Sequence, residues 1–511
     1  MFEQILQGMH VAFQWQNLLI AFFGAAGGIV IGGLPGLSAT MGVALLIPVT
    51  FGMHPASGLI LLGSVYCGAI YGGSIAAILV RTPGTPAAAA TVFDGYEMTK
   101  KGQAGVALGA AVLSSFVGGF ISTTILIFVA KPLAMFSLRF GSSEFMWLGI
   151  FGLTIISSLA GKSMLKGLLS GAFGLLISTM GMHPLTGFMR FTFGRMELYD
   201  GIPVIIAMIG MFSISQVMFL CEKEGSVSAE ITDDIGRVFP TWKELNLVKW
   251  CMVRSGFIGT VIGAIPGAGA DIASFVGYNE GKRWSKHPEK FGTGYIEGVV
   301  ASEAANNGVT GGSLIPLLTL GIPGNAVTAV LLGGLLIQGL VPGPELFTKH
   351  GDITYGFIMS LYLAKTFYLV LGFFGARYFV RVVSTPSGVL APVICTLAVV
   401  GSFSINNSMS DIWLMLLMGF LGYGMRKFEI PLAPICLGII LGPMVESNLA
   451  RTITVAAAKD TSVLMMSLTR PICLILIGMV VLSLMAPYLS ERSAKKRAAM
   501  LDTAGVTDEV E

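Results

Sequence analysis

The sequence predicts an all-α polytopic membrane protein of about eleven or twelve transmembrane helices plus broken or re-entrant helices, arranged as two internal repeats. Three observations carry this. Of 511 residues, 54% are hydrophobic and 12% charged, about half the charge of a typical soluble domain. The apolar residues fall in continuous runs about as long as a helix needs to cross a hydrocarbon core. Finally, Gly- and Pro-bearing interruptions of those runs recur in the same order in two parts of the chain.

Asn17 to Gly33, Gln103 to Ala130 and Gly201 to Cys221 are uninterrupted apolar runs, while Tyr355 to Ala376 and Val463 to Pro487 are broken only by Lys365 and Arg470. They are continuous rather than alternating, which selects helices over a β-barrel. Met1 to Gln16 lacks a basic region, so the first span itself is expected to direct insertion. The six cysteines, Cys67, Cys221, Cys251, Cys395, Cys436 and Cys473, show no CxxC spacing and read as packing residues. The five histidines are scattered without an HExxH, which argues against a transition-metal site. No basic patch with interleaved aromatics supports a nucleic-acid partner.

The repeat is visible by self-alignment. Gly24 to Ala39 (GAAGGIVIGGLPGLSA) shares seven of sixteen ungapped positions with Ser255 to Ala270 (SGFIGTVIGAIPGAGA). Downstream, Gly72 to Gly84 (GGSIAAILVRTPG) answers Gly311 to Gly324 (GGSLIPLLTLGIPG), with one inserted residue. The chain therefore divides into a first repeat (1–221), a polar linker (222–250) with an amphipathic helix around Trp242 to Trp250, a second repeat (251–385), a C-terminal membrane bundle (386–490) and a basic tail (491–511). Such a bundle supplies scaffold or oligomer contacts. The tail carries the densest basic cluster, which places the C-terminus in the cytoplasm.

Glycine packs helices closely, and Gly24, Gly28 and Gly32 form a small-residue face. Close packing gives no reason for Pro-Gly at the end of that face. Proline removes a backbone donor and glycine admits positive φ, so the helix breaks there. Broken backbone at membrane depth is tolerated where protein or a water-filled cavity surrounds it, and duplicated breaks mark transporter binding sites. Free backbone N–H groups at the Pro35-Gly36, Pro83-Gly84, Pro266-Gly267 and Pro323-Gly324 breaks would suit an anion, as would Thr82, Thr85 and Asn325. Arg81 could grip a carboxylate with two parallel bonds or snorkel at the interface. Carbonyls at the breaks, with Ser38, Thr40, Asp271, Glu303, Asn306 and Asn307, would hold a coupling ion, a proton or sodium, the one metal expected. Ser74 and Ser313 add small hydroxyls. Asp94, Glu97, Lys100 and Lys101 read as a solvated loop.

The strings GLPGLSATMGVALLIPVTFGM, YGGSIAAILVRTPGTPAAAATVFDGYEMTKKGQ and GAIPGAGADIASFVGYNEGKRWSKHPEKFGTGYIEGVVASEAANNGVTGGSLIPLLTLGIPGNAVTAVLLGGL, with GYGMRKFEIPLAPICLGIILGPMVESNL, closely resemble the large membrane subunit of tripartite tricarboxylate transporters, the TctA type. The resemblance spans nearly the whole chain. It implies a bacterial inner-membrane secondary importer of di- or tricarboxylates such as citrate, coupled to sodium or protons. It also implies two partners, a small four-span membrane subunit and a periplasmic substrate-binding protein. The family's Pro-Gly loops fall on the four pairs named above and its Asn-Asn pair on Asn306-Asn307. Two rivals are an anion channel and an intramembrane aspartyl protease using Asp200 and Asp271; the latter's GxGD motif is imperfect here, because an extra alanine precedes Asp271.

Overall fold

The computed structural model describes residues 2–34, 37–159, 163–183, 186–222, 236–383 and 387–485. Pro35-Gly36, residues 223–235 of the polar linker and the basic tail lie outside them. The first helices are α1 (Phe2–Ala12), α2 (Trp15–Gly33), α3 (Ala39–Thr50), α4 (Pro55–Val80), α5 (Val92–Lys100) and α6 (Ala104–Phe136). Next come α7 (Ser142–Leu159), α8 (Met164–Ser178), and α9 (Val204–Met208), which runs through a π-helical turn into α10 (Ser215–Glu222). The middle of the chain forms α11 (Trp242–Ala264), α12 (Gly269–Trp284), α13 (Ile296–Gly312), α14 (Leu314–Leu320), α15 (Ala326–Ile337), α16 (Pro344–Thr348) and α17 (Gly351–Val383). The last are α18 (Ser387–Asn406), α19 (Met409–Lys427), α20 (Leu432–Ala458), α21 (Val463–Leu468) and the apolar α22 (Pro471–Met485).

Eight helices among the described residues are long and apolar enough to cross a membrane, and four further apolar helices have 10–17 residues. This is a multi-pass membrane protein. The eleven or twelve spans counted in the sequence thus compare with eight full-length helices and four shorter apolar ones among the described residues.

The chain forms two compact units. One comprises Met1–Arg139 with Gly194–Phe428, the other Phe140–Phe193 with the chain from Glu429 onward. In the second unit α20 packs on α7 and α8. Ser170 donates to the Pro431 carbonyl at 2.6 Å, and the Arg470–Glu144 pair closes at 2.7 Å. A two-stranded hairpin, Gly181–Met182 with Met189–Arg190, is tied to α20 by Arg190–Glu446 at 2.5 Å.

The first unit holds the repeated motifs of both halves, while residues 140–193 of the stretch assigned to the first repeat fall in the second unit. Ser38 caps α3 by accepting from Met41 N, and Thr241 with Glu244 forms a capping box on α11. Because α11 starts at Trp242, the expected amphipathic segment and the following span are one helix. The two chain reversals have nearly the same entry: Leu34 closes α2 at φ −82°, ψ 118°, and Ile265 closes α11 at φ −83°, ψ 115°. After each, a short helix turns back, with Gly42 of α3 against Ile31 of α2 and Gly277 and Gly281 of α12 against Ala305 and Ala301 of α13.

Glycine contacts fix the register between the halves. Gly68 and Gly72 on α4 face the carbonyls of Ala25 and Ile29 on α2, while Gly308 and Gly312 on α13 face those of Gly256 and Thr260 on α11. Equivalent positions are 240 residues apart (68 to 308, 72 to 312), and this spacing also carries Gly84 to Gly324. The inserted residue expected from the sequence is therefore not needed; Gly72 corresponds to Gly312 rather than to Gly311.

The halves interlock. The long helix of the first half, α6, lies along α13, with Ser115 at Glu303, Gly118 at Ala304 and Ser122 at Gly311. Its counterpart α17 lies along α4, with Phe357 at Gly63 and Tyr368 stacked on Tyr71. Helices α6 and α17 cross in opposite directions, pairing Val112 with Gly372, Gly119 with Tyr368, Thr123 with Lys365 and Thr124 with Tyr362. Equivalent helices running antiparallel make the repeats inverted, the arrangement that places binding sites where the repeats meet.

Candidate functional site

At the second-half break, α14 ends on Gly321 in the left-handed region (φ 72°, ψ 17°), where a side chain is disfavoured. The chain then passes through buried Pro323 and Gly324 to Asn325, whose side chain accepts from Thr328 N at 2.9 Å and caps α15. The Gly267 N–H donates to the Gly324 carbonyl at 2.8 Å, so the Pro266-Gly267 and Pro323-Gly324 loops are brought together. Asn325 Nδ2 also donates to Tyr66 Oη at 2.9 Å, and Tyr66 Oη lies 3.1 Å from Ser313 Oγ.

The first-half break follows the same path with different side chains. Arg81 ends α4 in the left-handed region (φ 58°, ψ 13°), at the place of Gly321. It is exposed, with its guanidinium 5.9 Å from the Tyr96 ring centroid on α5. Thr82 is exposed and donates weakly to the Val80 carbonyl at 3.3 Å. The Gly84 N–H donates to the Gly73 carbonyl at 3.1 Å, and Gly84 abuts the Gly32 carbonyl so closely that a Cβ there would collide with it. Thr85 is buried at 2% exposure, with its hydroxyl lacking a hydrogen-bonding partner. Ser38 is half-buried, Thr40 is buried in the first turn of α3, and Ser74 donates to the Tyr71 carbonyl.

Between the breaks lies a polar interior. Glu303 on α13 is fully buried; it accepts from Thr91 Oγ1 at 2.5 Å and from Ser115 Oγ at 3.1 Å. Asn307 Nδ2 donates to Ser115 Oγ at 2.8 Å and approaches Glu303 Oε2 at 3.5 Å. Asn306 is also fully buried and comes near Glu303, yet neither amide atom makes a hydrogen bond of proper geometry. Two turns further along α6, fully buried Lys365 donates to Thr123 Oγ1 at 2.5 Å. Neither Glu303 nor Lys365 enters an ion pair among the described residues. Charges buried at membrane depth without a counter-ion mark functional positions. Asp271 stands apart, exposed in the first turn of α12, where a negative side chain complements the helix dipole. Asp200 is likewise exposed, ahead of α9.

Several of these groups escaped the sequence reading. Thr91, Ser115, Thr123 and Tyr66 sit in apolar helices or turns where a hydroxyl usually bonds its own helix. Lys365 alone carried a signal, as the single charge in its apolar run. Asp94 was expected in a solvated loop and is instead fully buried. Its Oδ1 accepts from the N–H groups of Gly292, Gly294 and Tyr295 at 3.0, 2.8 and 2.7 Å, and its Oδ2 from Tyr278 Oη at 2.8 Å. An isolated acid in a short polar stretch looks solvated until its partners, some 200 residues away in sequence, fold onto it.

Fold and interior thus define a polytopic helical membrane protein with inverted, interlocked repeats and a buried polar centre. The family model for the tripartite tricarboxylate transporter TctA family matches residues 18–437, and the chain belongs to that family. It is 36% identical over 492 residues to the "uncharacterized 52.8 kDa protein in TAR-I ttuC' 3'region" of Agrobacterium vitis, covering 95% of this chain and 96% of the relative. It is 35% identical over 238 residues to the "uncharacterized protein in TAR-II ttuC' 3'region" of the same organism, covering 46% of this chain and 97% of the relative. No solved structure matches. As a member of this family the chain is the large membrane subunit of a tripartite transporter, which works with partner subunits.

Proposed function

We propose that this chain is the translocating subunit of a secondary importer that moves a di- or tricarboxylate across the bacterial inner membrane, driven by a sodium or proton gradient. A periplasmic binding protein delivers the substrate, a small four-span subunit completes the membrane complex, and the C-terminus is cytoplasmic. One observation carries the coupling: Glu303 is wholly buried and held by hydroxyl and amide donors, with no cation beside it among the described residues. A proton or a monovalent cation would neutralise it, and its arrival and departure would change the stability of the interior. Inverted breaks on either side support alternating exposure of the substrate.

The test is uptake of labelled tricarboxylate into vesicles containing the complete three-protein complex. Uptake should collapse when sodium and proton gradients are both dissipated. Glu303→Gln keeps most of the hydrogen bonds without the charge, and should leave the complex assembled while reducing driven uptake about tenfold or more, in line with loss of a group supporting a bound cation. Undiminished uptake without either gradient would overturn the coupling.

A further inference from the structure

The two breaks differ in how their buried polar groups are satisfied. At the second, Tyr66 reaches across from α4, and its hydroxyl engages both Asn325 and Ser313. The 240-residue register carries Tyr66 to Asn306, Asn325 to Thr85 and Ser313 to Gly73. On that side Thr85 Oγ1, Asn306 Nδ2 and Asn306 Oδ1 are all buried and all without partners. Gly73 offers no side chain, and Thr85 Oγ1 packs directly over it. Asparagine is shorter than tyrosine by most of a ring, so Asn306 has no means of closing its break as Tyr66 does. Each buried polar atom without a partner costs about 1–3 kcal/mol. Two oxygens so placed at one break, Thr85 Oγ1 and Asn306 Oδ1, with none at its counterpart, call for a ligand rather than for packing.

We propose that Thr85 and Asn306 form a one-sided site for a monovalent cation at the first-half break, and that the Tyr66 hydroxyl is the built-in substitute for such a ligand at the second. The chemistry selects a cation over a carboxylate. Thr85 Oγ1 and Asn306 Oδ1 are hard oxygen ligands of the kind small cations take. Glu303, one turn earlier on α13, attracts a cation and repels an anion, and it is near enough for the Asn306 amide nitrogen to turn toward it, which leaves Oδ1 for the ion. This rests on the cation-coupled reading above and narrows it to one ion at one break.

The experiment is binding of radioactive sodium to the purified full-length chain in lipid nanodiscs, alongside uptake by the three-protein complex. Wild type should bind sodium. Thr85→Val and Asn306→Ala should each weaken binding about tenfold or more, in line with loss of a group supporting a bound metal, whereas Thr85→Ser and Tyr66→Phe should keep it. Asn306→Tyr, which imports the closure of the other half, should abolish binding. Melting temperature monitors folding, and if Asn306→Ala fails to fold, the contrast between Thr85→Val and Thr85→Ser decides. Wild type that binds no sodium, or Thr85→Val that binds as wild type does, overturns the site. Sodium-driven uptake that persists in Thr85→Val rejects the site and leaves coupling intact. Binding lost in Thr85→Val while wild-type uptake ignores both gradients keeps the site and rejects coupling.

Discussion

The two halves of the first unit share a backbone and differ in chemistry. Leu34 and Ile265 leave their helices at almost the same dihedral angles, and Arg81 and Gly321 end theirs in the same left-handed conformation. Against that frame, Tyr66 stands where the other half has Asn306, Gly63 where it has Glu303, and Thr40 where it has Asp271. Helices held at backbone-to-backbone distance cannot shift without losing packing on every turn, which preserves the frame. Side chains pointing into the interior carry no such constraint. The Glu303 carboxylate therefore has no equivalent on α4, and the Tyr66 closure none on α13.

The largest expected effects test the shared frame. A Cβ at Gly84 would strike the Gly32 carbonyl, and one at Gly324 would lie 2.7 Å from the Gly263 carbonyl and from Ser313 Cα. Rigid backbone on both sides leaves neither position room to give. Gly84→Ala and Gly324→Ala should each destabilise the chain by about 3 kcal/mol, the upper end for overpacking, and lower the melting temperature in detergent by similar amounts. A loss confined to one half would break the equivalence of the two frames.

What the sequence made legible was this frame. Pro-Gly after a small-residue face shows where a helix must end, because proline and glycine act locally. Glu303, Asn306 and Asn307 could be singled out since polar residues are rare in such runs. Register was misread at Gly72 because matching letters align Gly-Gly-Ser with Gly-Gly-Ser, whereas the fold aligns glycines that touch a neighbouring carbonyl. Arg81 suggested an anion ligand from its isolation, but its exposed place at a helix end depends on a backbone conformation that no spacing reveals. Tyr66 and Asp94 act on partners some 200 or more residues away, and that pairing is a property of the interlock.

Asp94 gives the next largest effect, on a contact that joins the halves at one end. It gathers three N–H groups from the segment before α13, and Lys101 donates to the Thr293 carbonyl beside it. Asp94→Ala would leave those donors without their acceptor and should cost about 2 kcal/mol, since some will reach water. Hydrogen exchange should rise at 292–295 and not at the Gly267–Gly324 contact. Equal rises at both would mean that the two regions open as one.

The smallest effect bears on the sharpest difference in backbone chemistry. Arg81 holds a left-handed conformation that costs a non-glycine residue about 1–2 kcal/mol, whereas Gly321 holds its equivalent without strain. Arg81→Gly should therefore raise stability by about 1 kcal/mol, after subtracting an exposed contact with Tyr96 that contributes less. Gly321→Ala should lower stability by a similar amount. Melting temperature measures this part, and uptake by the full complex measures the other. If Arg81→Gly is more stable and transports as well as wild type, the arginine is an ordinary end to a helix. A more stable variant with impaired uptake would show that the strain is kept for the guanidinium, which assigns Arg81 to the transport path and makes the two helix ends unlike in function as well as in sequence.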